Sequence, residues 1–236
     1  MIFNLGPSGG RNIEIVAGGT SYRFTTDEIS NSTFKVTPVG ATGWKMWIYE
    51  SCTVTFNFLN APVDICAIGK GGSGGGASPG YPTENGGGGG GGGQVTNKLS
   101  QNLSTGVAYT VTINNSSSSF GSIAVANKGG NASGRSGGTS GGGSGNGGSG
   151  AQSNDAAWPY PTYSGAGSGG DGVYAFGDSS FDGVKYAHGG CGGETPGGGA
   201  DRGTIYTWKG SGGAGGGTSY NYPTAGIDGI VLLRSA

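Results

Sequence analysis

The first 70 residues contain short segments in which apolar and polar residues alternate. Each segment is four to six residues long, is rich in β-branched and aromatic residues, and ends at turn residues such as Gly18-Gly19. This pattern predicts antiparallel strands, and a spacing of about ten residues favours a sandwich or a short barrel. The predicted strands are 12–16, 22–25, 33–37, 45–49, 53–58 and 63–68, and the last of them leads directly into glycine.

After residue 70, strand-like segments alternate with runs of glycine. The strand-like segments are 94–96, 108–113, 122–125 and the closing segment 229–234, which is the most apolar run in the chain. An apolar strand at a terminus needs a partner sheet that buries it, and the nearest candidates are the strands before residue 70 and those at 108–125. We therefore expect the glycine-rich zone to begin and end on one β core.

Glycine accounts for 59 of the 236 residues, and 51 of these follow residue 70. Because glycine costs about 0.8–1.0 kcal/mol per helical position relative to alanine, the composition disfavours helices. The predicted fold class is all-β with essentially no α-helix. An N-terminal antiparallel β-sandwich-like region (1–50) would serve attachment or packing, and a glycine-rich domain (51–236) would hold the glycine runs and the closing strand.

The glycine runs have two interpretations. Gly/Ser stretches usually form flexible linkers, but a linker does not need six runs separated by aromatic insertions. The collagen repeat is absent, since glycines between 129 and 150 fall in all three phases. We favour a bundle of polyglycine-II helices, which have three residues per turn and whose backbone groups bond sideways to neighbouring helices.

The segments between the glycine runs are rich in aromatic residues and proline. Proline lowers the conformational entropy of a loop, and Tyr and Trp offer a flat contact surface at little rotamer cost. These segments are candidates for recognition loops at the tip of a rigid stem, and the alternative is that their rings seal the sides of the bundle. The candidate contact residues are Tyr81, Trp158, Tyr160, Tyr163, Trp208, Tyr220 and Tyr222.

Charge and hydropathy exclude several classes of partner. The net charge is −1 and only 11% of residues are charged, so there is no basic excess for binding nucleic acid. No stretch approaches the roughly 18 apolar residues of a membrane helix, and we expect no membrane insertion. The N-terminus lacks a basic region followed by a long apolar region, so we expect synthesis in a cytoplasm without a signal peptide.

The sequence shows no pattern of catalytic or metal-binding chemistry. His188 and Cys191 could supply two ligands, whereas a structural zinc site needs four. No nucleophile-elbow motif accompanies the single histidine, and three cysteines favour free, buried thiols over a disulfide scaffold. Asp171, Asp178 and Asp182 lie near glycines without the nine-residue repeat of calcium-binding β-rolls. We expect no enzymatic activity, no cofactor and no metal.

Three stretches carry a resemblance to a known family. They are Met1-Ile2-Phe3-Asn4-Leu5-Gly6, the strand that enters glycine at 63–72, and the closing stretch 226–234. The chain resembles the glycine-rich domain proteins of phages and prophages of Gram-positive bacteria, which are usually encoded among tail and receptor-binding genes. It is also similar in style to the glycine-rich adhesins of tail-fibre tips, and it departs from the commoner prophage form at Lys70.

The resemblance implies a non-enzymatic virion protein, either a tail fibre or a tail-tip adhesin that displays aromatic loops to its host. The implied partners are other virion proteins and a host-surface glycan or teichoic-acid-like polymer, and a homotrimer is the favoured assembly. A capsid or head-fibre decoration protein is the main alternative. A bacterial surface adhesin and an ice-binding polyglycine protein are further alternatives.

Overall fold

The computed structural model describes residues 13–17, 19–24, 28–40, 43–56, 62–76, 87–133, 138, 170–190, 209–211 and 223–235. This part of the chain forms fourteen strands and one short 3-10 turn, Ala175–Gly177, and it contains no α-helix. The predicted all-β class is confirmed. The strands are β1 (Ile13–Ala17), β2 (Thr20–Phe24), β3 (Ile29–Ser30), β4 (Phe34–Val39), β5 (Gly43–Ile48), β6 (Cys52–Phe56), β7 (Val63–Ile68), β8 (Val95–Gln101), β9 (Ala108–Ile113), β10 (Ser117–Phe120), β11 (Ala124–Asn127), β12 (Val173–Tyr174), β13 (Lys185–Tyr186) and β14 (Ile230–Ser235).

Twelve of these strands build two antiparallel sheets. The first sheet has the order β11-β10-β9-β6-β1-β2, and the second has the order β3-β4-β5-β14-β7-β8. The remaining two, β12 and β13, pair only with each other among the described strands. No helix in the described ranges has the length and apolarity needed to cross a membrane.

The two sheets pack face to face through side chains that alternate along their strands. In β5, Trp44, Met46 and Ile48 are buried, and the residues between them are half-buried. The ring of Trp44 stacks on that of Phe56 in the opposite sheet, with 5.8 Å between the ring centroids. Successive strand residues point to opposite faces of a sheet, so alternation along the chain produces one buried face. The described strands form a sandwich, one of the two predicted architectures, and it extends beyond the predicted region 1–50.

The closing strand β14 lies inside the second sheet, between β5 and β7. Val231 and Leu233 pack in the core between the sheets, whereas Ile230 and Leu232 belong to a second apolar cluster. Because both faces of the strand are covered, apolar residues occupy consecutive positions. Of the two predicted candidates, the strands before residue 70 pair with this segment, and residues of 108–125 pack on its core side. Since β7 and β14 are neighbours, the glycine-rich zone begins and ends on one core.

Residues 170–190, which we call the arm, contribute to this second cluster. Phe176 and Phe181 of the arm are buried, and the Phe181 ring lies 4.9 Å from that of Trp47 in β5. Arg234 of β14 fixes the arm to the sheet. Its Nε donates to Asp64 over 2.8 Å, and its guanidinium carbon lies 4.5 Å from the centroid of the Phe176 ring.

Strands from before and after residue 50 share both sheets. β1 pairs with β6, and β5 pairs with β14. The boundary between the predicted regions 1–50 and 51–236 therefore falls between strands of one sandwich. The assignment of attachment to the first region and display to the second stays a prediction.

Candidate functional site in the glycine bundle

Glycine-rich segments extend from the end of the sandwich at which β7 and β11 end and β8 and β14 begin. These segments have neither strand nor helix assignment, and backbone hydrogen bonds join them side by side. We call them the glycine bundle, which comprises residues 69–76, 87–94, 128–133, 187–190, 209–211 and 223–229.

Segment 69–76 bonds to segment 87–94 through every third residue. The three N–H groups that donate belong to residues three positions apart, a set that we call one phase of the segment. The N···O distances are 2.8–2.9 Å. The acceptor carbonyls also recur every third residue and run in the opposite direction. The pairs are Gly69 with Gln94, Gly72 with Gly91, and Gly75 with Gly88.

The other two phases of segment 69–76 bond to two further neighbours. The N–H groups of Gly71 and Gly74 donate to the carbonyls of Ile227 and Thr224, both over 3.0 Å. The carbonyls of Lys70 and Ser73 accept from segment 128–133, over 2.8–2.9 Å. Successive residues thus bond in three directions, as expected of a helix with three residues per turn. This register matches the polyglycine-II interpretation, and a random-coil linker does not account for it.

Glycine is required where the neighbouring backbones touch. A Cβ atom on Gly90 would overlap the carbonyl of Gly72, and one on Gly72 would overlap the carbonyl of Gly130. The two non-glycine residues of segment 69–76, Lys70 and Ser73, share the one phase whose carbonyls face segment 128–133. The side chains of this segment therefore avoid the positions equivalent to Gly69 and Gly72, where a Cβ atom would overlap a neighbouring backbone.

Lys70 links the bundle to the sandwich. Its Nζ lies 2.8 Å from the carboxylate of Asp228 and donates to Oδ1 of Asn115 over 3.0 Å. Asp228 belongs to the bundle, and Asn115 lies in the turn between β9 and β10. The lysine side chain, 18% exposed, thereby joins two bundle segments to the first sheet.

All seven predicted contact residues lie outside the described residues. Each belongs to one of the segments that connect parts of the bundle: Tyr81 to 77–86, Trp158, Tyr160 and Tyr163 to 139–169, Trp208 to 191–208, and Tyr220 and Tyr222 to 212–222. The structure therefore does not test whether these seven side chains come together.

One or both described flanks of the aromatic segments 77–86 and 212–222, and the residues that precede segment 134–137, lie at the bundle end remote from β7. The bonds between Gly75 and Gly88, between Ser73 and Ala132, and between Gly74 and Thr224 bring these flanks side by side. The flank next to Trp208 differs. Lys209 accepts from the N–H of Ala187 over 3.1 Å, and its Nζ lies 5.9 Å from the ring centroid of Tyr49 in the sandwich.

The single histidine lies outside the strands and the 3-10 turn, and it is buried. His188 is 7% exposed, and its Nδ1 accepts from the N–H of Gly172 over 2.9 Å. Burial lowers the pKa of the imidazole, which favours its neutral form. Cys191, the other half of the predicted His-x-x-Cys pair, lies outside the described residues. No group of three His, Cys, Asp or Glu side chains suited to a metal ion occurs in the part of the chain that the structure describes.

Two of the three cysteines, Cys52 and Cys66, are free and buried, as expected. Burial raises the pKa of the Cys52 thiol to about 11 and that of the Cys66 thiol to about 12. Both thiols are therefore protonated at neutral pH, whereas the thiolate is the form that reacts as a nucleophile. Neither group has the chemistry of a catalytic cysteine.

Two of the aspartates considered for calcium bond instead to side chains of this chain. Asp182 accepts from Nε1 of Trp47 over 3.2 Å and from the hydroxyl of Tyr186. Asp178 lies 3.6 Å from Nη2 of Arg234. These carboxylates hold the arm against the second sheet, a role that only the tertiary contacts reveal.

No protein-family model, no curated protein and no solved structure matches this chain. A functional proposal therefore depends on the glycine bundle, on the segments that it connects, and on the resemblance noted in the sequence.

Proposed function

We propose that this chain is a non-enzymatic structural protein of a phage or prophage particle, located in a tail fibre or tail tip, that recognises a glycan on the host surface. The observation that carries the proposal is the bundle, whose remote end holds flanks of two aromatic segments, 77–86 and 212–222. A stem of this kind suits the display of recognition loops at a distance from the rest of the particle.

The hydrogen bonds of the bundle supply the rigidity that such a stem needs. Segment 69–76 bonds to three neighbours in turn, so its backbone is restrained on three sides. Ordering glycine costs more conformational entropy than ordering any other residue. In a stem that is already ordered, this entropy is lost when the chain folds, so it does not weaken ligand binding. Loops attached to a rigid support lose less entropy when they bind a ligand.

The aromatic residues of the connecting segments supply the contact surface in this proposal. Aromatic rings stack on the apolar faces of sugar rings and lose little rotamer entropy on binding. The residues proposed to contact the glycan, or a teichoic-acid-like polymer, are Tyr81, Trp158, Tyr160, Tyr163, Trp208, Tyr220 and Tyr222.

The sandwich is proposed to join the chain to other virion proteins, because it lies at the opposite end from the remote flanks. A homotrimer is the proposed assembly, since closed symmetry is common in oligomers. Light scattering on the purified chain measures the assembly directly. A mass of one protomer would contradict the trimer and leave the recognition proposal open to its own test.

Alanine substitution of the aromatic set tests recognition. In the full chain, we expect combined replacement of Trp158, Tyr160 and Tyr163 to lower binding to host cells and to purified cell-wall glycan at least tenfold, since aromatic residues dominate binding hot spots. The matched control is Tyr174→Ala, which removes a half-buried ring from the arm. Thermal unfolding establishes that each variant folds.

Two outcomes contradict the proposal. Equal glycan binding by the triple variant and by Tyr174→Ala would remove the recognition role of the segment 139–169. Immunogold labelling of particles locates the chain itself: label on the tail supports the proposal, whereas label on the head favours the capsid or head-fibre alternative.

A further inference from the structure

A cleft of about 300 Å³ opens where the sandwich meets the glycine bundle. The residues that follow β5, the turn after β9, and the bundle segment that leads into β14 line this cleft. We call it the base cleft, and the lining side chains that matter are Tyr49, Glu50, Asn115 and Asp228.

Two other lining residues, Ser51 and Asn114, bond to backbone groups around the cleft. Oδ1 of Asn114 accepts from the N–H groups of Ser116 and Ser117 over 2.8 and 2.9 Å, which fixes the turn between β9 and β10. Oγ of Ser51 accepts from the N–H of Ile113 over 2.9 Å and donates to its carbonyl over 3.2 Å. Because these side chains hold backbone groups in place, the cleft has a fixed shape before any ligand enters.

The two carboxylates in the lining of the base cleft have polar partners within the chain. Glu50 and Asp228 contribute two carboxylates to its lining. Nζ of Lys70 lies 2.8 Å from the carboxylate of Asp228, and Nζ of Lys209 lies 5.9 Å from the ring centroid of Tyr49. Oε2 of Glu50 accepts from the hydroxyl of Thr33 over 3.0 Å, so both carboxylates already have partners, and a neutral polar ligand can bond to their remaining lone pairs.

We propose that the base cleft binds one ring of a neutral saccharide. Carboxylate oxygens of Glu50 and Asp228 accept hydrogen bonds from sugar hydroxyls, the amide of Asn115 donates to them, and Tyr49 contributes an aromatic ring. A volume of about 300 Å³ is at the small end of ligand pockets and suits a single ring. This site is separate from the aromatic segments, so it does not depend on the proposed function.

Chemical-shift mapping of the full chain by NMR tests the proposal. The probes are glucose, galactose, mannose and N-acetylglucosamine, each titrated to 50 mM. For at least one sugar we expect amide shifts confined to the lining of the base cleft, with a Kd on the order of millimolar, as befits a small polar ligand. Asn115→Ala should weaken that binding at least fivefold. The matched control is Asn102→Ala, an exposed asparagine outside the cleft lining, which should bind as the wild type does.

Three results would overturn the proposal. The first is the absence of shifts in the base cleft with all four sugars. The second is equal affinity of Asn115→Ala and the wild type for the sugar that shifts the cleft. The third is a response of the same amides to millimolar calcium chloride with no response to sugar, which would identify a cation site. Loss of glycan binding by the aromatic variants alone would leave this site standing, so the two proposals fail separately.

Discussion

Alanine substitutions at adjacent positions 72 and 73 test whether the glycine bundle has the register described above. Both residues lie in segment 69–76, both variants end as alanine, and only Gly72 gains a Cβ. That atom would overlap the carbonyl of Gly130, a backbone group that cannot rotate away. Ser73 already carries a side chain at a position with room for it. We therefore expect Gly72→Ala to destabilise the fold and Ser73→Ala to be nearly neutral.

The expected magnitude follows from the contacts of Gly72. Forcing a methyl group into a packed backbone costs about 1–3 kcal/mol. Weakening of the bond from the Gly72 N–H to the Gly91 carbonyl, 2.8 Å long, adds about 1 kcal/mol. The reduced freedom of the unfolded alanine chain offsets about 0.4–1 kcal/mol. The net loss is about 1–3.6 kcal/mol, or about 2–14 °C in Tm for a chain of this size, whereas Ser73→Ala should stay within about 0.5 kcal/mol.

Differential scanning calorimetry on the two variants and the wild type measures these values. The assay requires that each variant be purified as the full chain and that its transition be reversible on a second scan. Equal Tm values for Gly72→Ala and Ser73→Ala would refute the reasoning, because the close approach of segments 69–76 and 128–133 would then be absent in solution.

Two further predictions concern the second sheet. Asp64, 5% exposed, pairs with Arg234, so Asp64→Asn should lower the free energy of unfolding in urea by about 3 kcal/mol. Glu28→Gln, in an exposed pair with Lys35, should change it by less than about 0.5 kcal/mol. Equal losses for the two variants would contradict the role of Arg234 in holding the arm. Burial raises the pKa of the Cys66 thiol from its ordinary 9.0 to about 12, so as pH rises the thiol ionises first in the unfolded chain. Between pH 9 and 12 this lowers the free energy of unfolding by about 1.4 kcal/mol per pH unit. Urea unfolding from pH 8 to 10.5 should therefore show a shallower decline for Cys66→Ala than for the wild type, and parallel curves would contradict the burial of this thiol.

The alternating strands and the closing strand were predictable because each carries its signal locally. Along β5 and β6 the buried residues alternate, as two-residue periodicity requires. β14 is a run of apolar residues at consecutive positions, which indicates a strand covered on both faces. The bundle was also predictable, since dense glycine interrupted at few positions suits helices whose backbones touch.

The elements that escaped prediction are defined by distant contacts. β10 has the sequence Ser-Ser-Ser-Phe, and serine has little preference for strands. The Ser118 side chain is fully buried against Gly229, and a Cβ atom on Gly229 would overlap Oγ of Ser118. The two residues therefore touch so closely that both must be small. β4 likewise continues through Val39, two residues beyond the predicted strand 33–37. The turn begins at Gly40, whose φ is +58°.

The arm and the base cleft were also not predictable from local sequence. Strands β12 and β13 have two residues each, too few for any periodicity. The arm is held by Arg234, which pairs with Asp64, a residue 170 positions away in the chain. The base cleft draws its lining from three separate stretches of sequence, so no local motif marks it.

Amide hydrogen exchange of the bundle glycines, resolved by NMR, tests the central claim most directly. If the glycine-rich zone is an ordered stem, the N–H groups of Gly72, Gly75, Gly91 and Gly93, which bond laterally over 2.8–2.9 Å, exchange slowly, at rates comparable with those of the buried strands β7 and β14. Exchange of these four amides at the rate of an unstructured peptide, with β7 and β14 still protected, would show that the zone is a flexible linker and would contradict the account.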